Sequence, residues 1–197
     1  MDLERFEKQL AFILEADKEK NILRQTHLSN HGRRENDAEH AWHMAMMIYL
    51  LKEYANEDFD VAKAMMMALI HDVVEIDAGD TYAYDPKAAE SQKEREEKAA
   101  ERIFGMLPPD QRSELRGLFE EFEEGKSPEA RFAKAMDNFQ PLLLNNSNGG
   151  SDWREHGVKK SQVLRRHSNT ALGSEIIGSY SQELIEKNVR EGNIIDE

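Results

Sequence analysis

The sequence predicts an all-α protein, and three observations carry that prediction. Apolar residues return at three- and four-residue steps in one segment after another. No segment shows the alternation that a half-buried strand requires. Residues that favour helix starts, among them Asn36, Asp60, Asp85-Pro86 and Ser127-Pro128, stand in front of the apolar runs. The chain has 197 residues, which fits one domain, residues 1–197, on a soft prior of about 150 residues per domain.

Leu3, Phe6, Leu10, Ile13 and Leu14 fall on one stripe, so residues 2–18 read as an amphipathic helix. The polar stretch at 30–34 reads as a loop. Asn36 or Asp37 caps the next helix, which carries His40, Ala41, Met44, Met47 and Ile48 on one face and runs to about Tyr54. Asp60 opens an apolar segment, 61–76, too long and too rich in alanine and methionine for a strand. Asp-Ala-Gly-Asp at 77–80 is its stop, and Asp85-Pro86 caps a charged helix that turns apolar at Ala99, Ile103 and Phe104. Pro108-Pro109 separates that helix from 110–124, which ends at Gly125. Ser127-Pro128 starts a helix holding 131–144, residues 145–151 form a loop, and Asp152-x-x-Glu155 reads as a capping box. A last helix over 174–190 places Ile176, Ile177, Tyr180, Leu184 and Val189 in step. The expected architecture is a helical bundle with extra C-terminal helices over 152–192.

Composition narrows the function. The chain has 39 acidic and 26 basic residues, a net charge of −13. A field of that sign repels a nucleic-acid polymer, and the basic residues form only one modest cluster, at Lys159, Lys160, Arg165, Arg166 and His167. A small phosphorylated molecule at a local basic pocket remains compatible with it. There is no cysteine, which excludes disulfides, thiolate metal sites and a cysteine nucleophile. The longest apolar run, 44–51, falls far short of the roughly 18 residues of a membrane span. Charges throughout the first twenty residues differ from a signal peptide. The expectation is a cytoplasmic protein without membrane association.

The chemistry concentrates around His71-Asp72, which follows the apolar run Ala-Met-Met-Met-Ala-Leu-Ile. An ionised aspartate buried there costs on the order of several kcal/mol unless a cation or hydrogen-bond donors compensate. Alone, the dipeptide is equally an aspartate–histidine hydrogen bond at a helix end. His40 upstream and Asp137 downstream extend it to two imidazoles and two carboxylates from three helices. That donor set suits one divalent ion and sums with it to zero charge. On an octahedral ion it leaves two positions for water and a substrate oxygen. Such an ion lowers the pKa of bound water from about 15.7 toward about 7 and polarises a phosphoryl oxygen. Pro141 cannot donate to the Asp137 carbonyl, which predicts a kink after the aspartate.

His40…His71-Asp72…Asp137 resembles the signature of the HD-domain phosphohydrolase superfamily, an all-helical family. The nearer likeness is to its branch of bacterial 5′-deoxynucleotidases and eukaryotic HD-domain-containing proteins. Arg34-x-Asn36-x-x-Glu39-His40 is similar to the first motif of that branch. His71-Asp72-Val-Val-Glu75-Ile-Asp77-Ala-Gly79-Asp80-Thr81 is similar to the second, and Asp137-Asn-Phe-Gln140-Pro to the third. The likeness spans about residues 17–155. It implies that His40, His71, Asp72 and Asp137 bind one divalent metal (Mn, Co, Ni, Fe, Zn or Mg). It also implies that Glu75 and Asp80 line the site, positioning the attacking water and contacting the sugar or the leaving oxygen, and that the protein is a homodimer. Four residues from His71, Glu75 would share its helical face and reach a metal-bound water; the plain alternative is an exposed helix-end glutamate. For Asp80 the alternative is a turn stabiliser.

A monophosphate needs a further cation. The branch uses an arginine-tryptophan pair, whereas residues 18–25 here read Lys-Glu-Lys-Asn-Ile-Leu-Arg-Gln. Lys18, Arg24 and Arg34 are the candidates, since a guanidinium in particular suits phosphate. His43 is expected behind the ligands or in the core. Trp42, Trp153 and the methionines at 44–47 and 65–67 are expected in the core, and the charged run 94–101 on a solvated face. The expected function is a metal-dependent phosphomonoesterase acting on 5′-(deoxy)nucleoside monophosphates or a similar small phosphorylated metabolite. The alternatives are hydrolysis of another nucleotide, such as a guanosine polyphosphate alarmone, and a non-catalytic nucleotide- or metal-binding adaptor. A carboxylate-bridged di-iron site requires Glu-x-x-His pairs, and none stands near these motifs.

Overall fold

In the computed structural model, which describes residues 3–84 and 86–197, the element around which the others pack is α7, Pro128–Ser147. Ser127 caps it by accepting from the Ala130 amide. Small residues at Ala130, Ala133 and Ala135 bring neighbouring helices close, while Phe132, Met136, Phe139 and Leu142 fill the spaces between them.

Before α7 come α1 (Leu3–Ala16), a hairpin of β1 (Leu23–His27) and β2 (Arg34–Asn36), and α2 (Asp37–Leu51). They are followed by α3 (Val61–Ile70), the one-turn α4 (Glu75–Ala78), α5 (Pro86–Phe104) and α6 (Pro109–Glu124). After α7 the chain continues as α8 (Ser151–His156), α9 (Lys160–Arg166), α10 (Thr170–Gly173) and α11 (Glu175–Arg190). The all-α expectation therefore holds, apart from the small hairpin. Among the described residues no helix is long and apolar enough to cross a membrane.

The interior divides into two apolar clusters. The larger joins Met44 and Ile48 of α2, Met67 and Ala68 of α3, the apolar face of α7, Trp153, and Leu184 and Ile185 of α11. The smaller joins Ile70, Val73 and Val74 to Ala99, Ile103 and Phe104 of α5 and Phe119 of α6. His71-Asp72 falls in the seam between them: Ile70 and Val73 on either side belong to the smaller cluster, while the His71 ring packs 4.9 Å from the ring of Phe122 in the larger.

Several local expectations need correction. Residues 23–27 and 34–36 pair antiparallel with an irregular register, Leu23 opposite Asn36 and His27 opposite Arg34. Too short and too polar to alternate, they are held by backbone pairing and by His27, whose amide and Nδ1 lie 3.0 and 2.7 Å from the Asp152 carboxylate. Asp152 is thereby turned away from helix capping: α8 begins after Gly150 with no side-chain cap. The helix read as 61–76 breaks after Ile70, where bonds three residues apart (Val73 to Ile70, Glu75 to Asp72) replace the α pattern. α7 continues past Pro141 to Ser147, so 145–147 are helical.

The side chains of the α1 stripe, Leu3, Phe6, Leu10, Ile13 and Leu14, face outward; α1 is held instead by Phe12 and Ala16 against the smaller cluster. Trp42 is 61% exposed, and Met46 and Met66 are also exposed, whereas Trp153, Met44, Met47 and Met67 are buried. The Asp85 cap lies outside the described residues. The capping box at Asn36 and Glu39 is present, with bonds of 3.0 and 3.1 Å in the two directions.

Gly150 has φ 71°, and a Cβ there would stand 2.4 Å from the Cβ of Asn193. Gly150→Ala combines a left-handed alanine with a backbone-side clash and is expected to cost at least about 2 kcal/mol. Thermal unfolding followed by circular dichroism should show Tm lowered by roughly 4–8 °C; an unchanged Tm would contradict this packing.

Candidate metal centre and its cleft

Four buried or nearly buried donors meet at the seam. His40 comes from the first turns of α2, which the Asn36 cap starts in register; His71 and Asp72 come from the break after α3; Asp137 comes from the middle of α7. His71 Nε2 lies 3.1 Å from Asp72 Oδ1 and 3.9 Å from Asp137 Oδ1. His40 Nε2 lies 3.2 Å from Asp137 Oδ1. Ligand atoms of His40, His71 and Asp72 all fall within 4.8 Å of one another. Despite the short distance to Asp72, the buried His71 Nε2 has no properly directed hydrogen bond.

These spacings suit ligands of a common centre better than hydrogen-bonded partners. Two ligands about 2.1 Å from one ion stand about 3.0–3.4 Å apart at octahedral or tetrahedral angles. Each imidazole also has its other nitrogen occupied. His71 Nδ1 donates to the Ala68 carbonyl at 2.9 Å. His40 Nδ1 donates to Gln140 Oε1 at 3.0 Å, and Gln140 Nε2 donates onward to Glu35 Oε2 at 2.8 Å. Both Nδ1 atoms therefore carry a hydrogen, so each ring would face the centre with Nε2, that of His71 once its second proton is displaced. The donor set could hold one divalent ion.

The surroundings are unusually acidic. Arg24 of β1 reaches in and places Nη1 2.7 Å from Asp72 Oδ2 and 3.2 Å from Asp37 Oδ1. Glu75, at the first position of α4, is pushed up to about 11, by burial first and then by Asp72 and Asp37. Burial likewise raises Glu19 to about 8 and Glu35 and Asp37 to about 7, and it raises Asp80. Burial also pushes Asp72 up, but His71 and Arg24 outweigh it and hold that carboxyl low. Asp137 is likewise held low against burial, by Arg166 and the two histidines. Burial lowers His40 to about 4, whereas Asp72 and Asp137 overcome it at His71 and raise that ring to about 9.

A cleft of about 240 Å³ opens beside these donors, lined by Arg24, His71, Asp72, Glu75, Asp80 and Asp137. The helix break means that Glu75 does not share a helical face with His71; it reaches the cleft from a separate turn. Asp80 follows Gly79, whose φ is 75°, and Arg95 steadies that loop by bonding the Ala78 carbonyl and the Thr81 hydroxyl. Of the three proposed substrate cations, Arg24 enters the cleft. Lys18 instead pairs with Glu15 at 2.7 Å and Arg34 with Glu155 at 3.5 Å, and neither lines it. His43 stands behind the ligands as expected, 3.1 Å from Gln140 Nε2. Glu96 leaves the solvated face of its charged run and turns to the cleft wall.

Sequence reasoning met Asp37 only as a possible helix cap, Gln140 only within the third motif and Arg166 only as part of a basic cluster, and it gave Glu35 no role. Gln140 did carry a signal, because it lies three residues after Asp137 on the same helical face. Arg166 carried none: its contact with Asp137, at 2.8 Å, joins positions 29 apart in sequence.

Two outcomes follow for metal binding. Gln140→Leu frees the His40 ring and leaves Glu35 buried without its amide, and is expected to weaken divalent-metal affinity about 10–100-fold, read by competition with a chromogenic chelator; unchanged affinity would remove Gln140 from the site. Metal must also displace the proton that His71 holds up to about pH 9. Apparent affinity should therefore rise with pH, about tenfold per unit from pH 6 toward 9, and then level off. A pH-independent affinity would contradict that geometry.

Comparison with known proteins places this arrangement. Residues 16–176 match the HD domain family. Human 5'-deoxynucleotidase HDDC2 is 36% identical over 115 residues, 58% of this chain and 54% of that protein. The Dictyostelium discoideum protein of the same name is 34% identical over 128 residues, 61% of this chain and 67% of its own. The chain spans about half the length of most of these curated relatives. Among solved structures, a Magnetospirillum magnetotacticum protein described as a predicted metal-dependent phosphohydrolase superposes with TM-score 0.93 at 46% identity, covering 97% of this chain and 96% of that one. A conserved hypothetical protein from Pyrococcus furiosus gives TM-score 0.61 at 25% identity, covering 92% and 99%. With the helical fold, the His…His-Asp…Asp donors and a family match over most of its length, the chain belongs to the HD domain family.

Proposed function

We propose that the chain is a metal-dependent phosphomonoesterase that releases phosphate from 5′-(deoxy)nucleoside monophosphates or a similarly small phosphorylated metabolite. The observation that carries this reading is the convergence of His71 Nε2, buried and without a well-directed hydrogen bond, on Asp72 and Asp137, with His40 completing the donor set. His40, His71, Asp72 and Asp137 would hold one divalent ion. Bound there, the ion would supply Lewis-acid polarisation of a phosphoryl oxygen and acidification of water. Relatives named 5'-deoxynucleotidase support the substrate class. Tyr82 and Tyr84 in the cleft wall offer a ring surface to a base.

In the reaction a water oxygen bonds to phosphorus, the ester P–O bond breaks, one proton leaves the water and one arrives on the leaving oxygen. Glu75 is the group suited to carry that proton in both directions. It is buried in the cleft, one of its oxygens has no hydrogen bond, and its surroundings give it a high proton affinity. Asp80 lines the same wall, and in this reading it would contact the sugar or the leaving oxygen. Arg24 offsets the carboxylates Asp72, Asp37 and Glu35, keeping them from repelling each other and the substrate.

The reading includes a homodimer. Light scattering would then give twice the 22.7 kDa chain mass.

Asp72→Ala should abolish bound metal and lower phosphate release from a panel of nucleoside monophosphates by at least about 1000-fold, with the helical signal retained. Metal-free turnover in that variant would overturn the reading. Pyrophosphate as the wild-type product would favour the alarmone alternative, and a full metal load with no turnover would favour the adaptor.

A further inference from the structure

The cleft needs a cation for the phosphate, and its carboxylates already engage most of the candidates. Arg24 is committed to Asp72 and Asp37, and its side chain is only 12% exposed. Lys134 lies over the Phe122 ring, 4.7 Å from its centre, with Glu123 3.5 Å away. Arg166 differs from both. It is the last residue of α9, its side chain is 35% exposed, and it lines the cleft. Nη2 bonds Asp137 Oδ2 at 2.8 Å, and among the described residues that is the one hydrogen bond found for its guanidinium.

We propose that Arg166 forms an anion subsite that holds the phosphate group of the substrate beside the His40–His71–Asp72–Asp137 donors. This rests on the phosphomonoesterase reading. Asp137 is the link: its Oδ1 faces the two histidines while its Oδ2 fixes Arg166. The guanidinium is thus anchored at one nitrogen and presents its remaining N–H groups to the cleft, in the planar fork that suits two phosphate oxygens. An anchored arginine loses less freedom on binding than a mobile lysine, and its charge offsets the carboxylates of Asp72 and Asp137 at the same cleft. The consequence reaches the fold: α9 belongs to the active site, although the sequence motifs end near residue 155.

The test compares metal-loaded wild type with Arg166→Ala and Arg166→Lys, using inorganic phosphate as the probe in titration calorimetry. Metal content, kcat and KM for a 5′-deoxynucleoside monophosphate are measured in parallel. Loss of a charge-assisted fork should weaken phosphate binding and raise KM about 10–100-fold, with metal content unchanged and partial recovery in Arg166→Lys. Phosphate affinity equal to wild type in Arg166→Ala overturns the subsite. So does a loss of metal that accounts for the whole effect, since Arg166 would then only prop Asp137. Weakened phosphate binding supports the subsite whether or not the wild type turns over a nucleotide; absent turnover overturns only the reading on which it rests.

Discussion

Like charges crowded into a seam between two apolar clusters are the constraint on which the rest of the structure depends. Asp72 and Asp137 are held ionised close to two imidazoles, with Asp37, Glu35, Glu75 and Asp80 packed around them. One arginine on the inner side and one on the outer cannot offset six carboxyl groups. The chain meets this in two ways. Burial raises the proton affinity of several of these acids, Glu75 most of all, and the remaining donors are spaced to share a cation. A divalent ion shared by those donors would remove the largest part of the repulsion, which would make binding the ion and holding the site together one problem.

The scaffold serves that problem at each level. The Asn36 cap starts α2 so that His40 points inward, and Gln140 fixes the nitrogen with which it does so. The break after Ile70 releases His71 and Asp72 from a regular helix, so that two consecutive residues reach the same point while Val73 and Val74 return to the core. Pro141 leaves the Asp137 carbonyl without its helical donor, in a helix that otherwise continues unbroken to Ser147. Local departures from regular structure gather at the site, as expected where function overrides local preference.

The fold class was legible because helical periodicity is a local property, and the caps at Asn36, Asp60 and Ser127 are local signals too. The hairpin was not, because besides its own backbone pairing it is held by the contact of His27 with Asp152, more than a hundred residues away. The metal donors were legible as residue types whose burial demands compensation. Glu75 was legible as a candidate for a reason the fold does not use, since the helix assumed to carry it is broken. The outward stripe of α1 and the exposed Trp42 show the limit of periodicity: it finds an apolar face but not what the face meets. Arg166 lay beyond sequence reasoning, because nothing local links an arginine at the end of α9 to an aspartate on α7.

The central claim is that four side chains share one ion, and anomalous scattering from crystals grown with manganese tests it most directly. The account predicts one strong peak bonded to His40 Nε2, His71 Nε2, Asp72 and Asp137, each at about 2.1–2.3 Å. Manganese bound only elsewhere, for instance at the other histidine–aspartate group of His27, His31 and Asp152, with those four donors left without an ion, would contradict it.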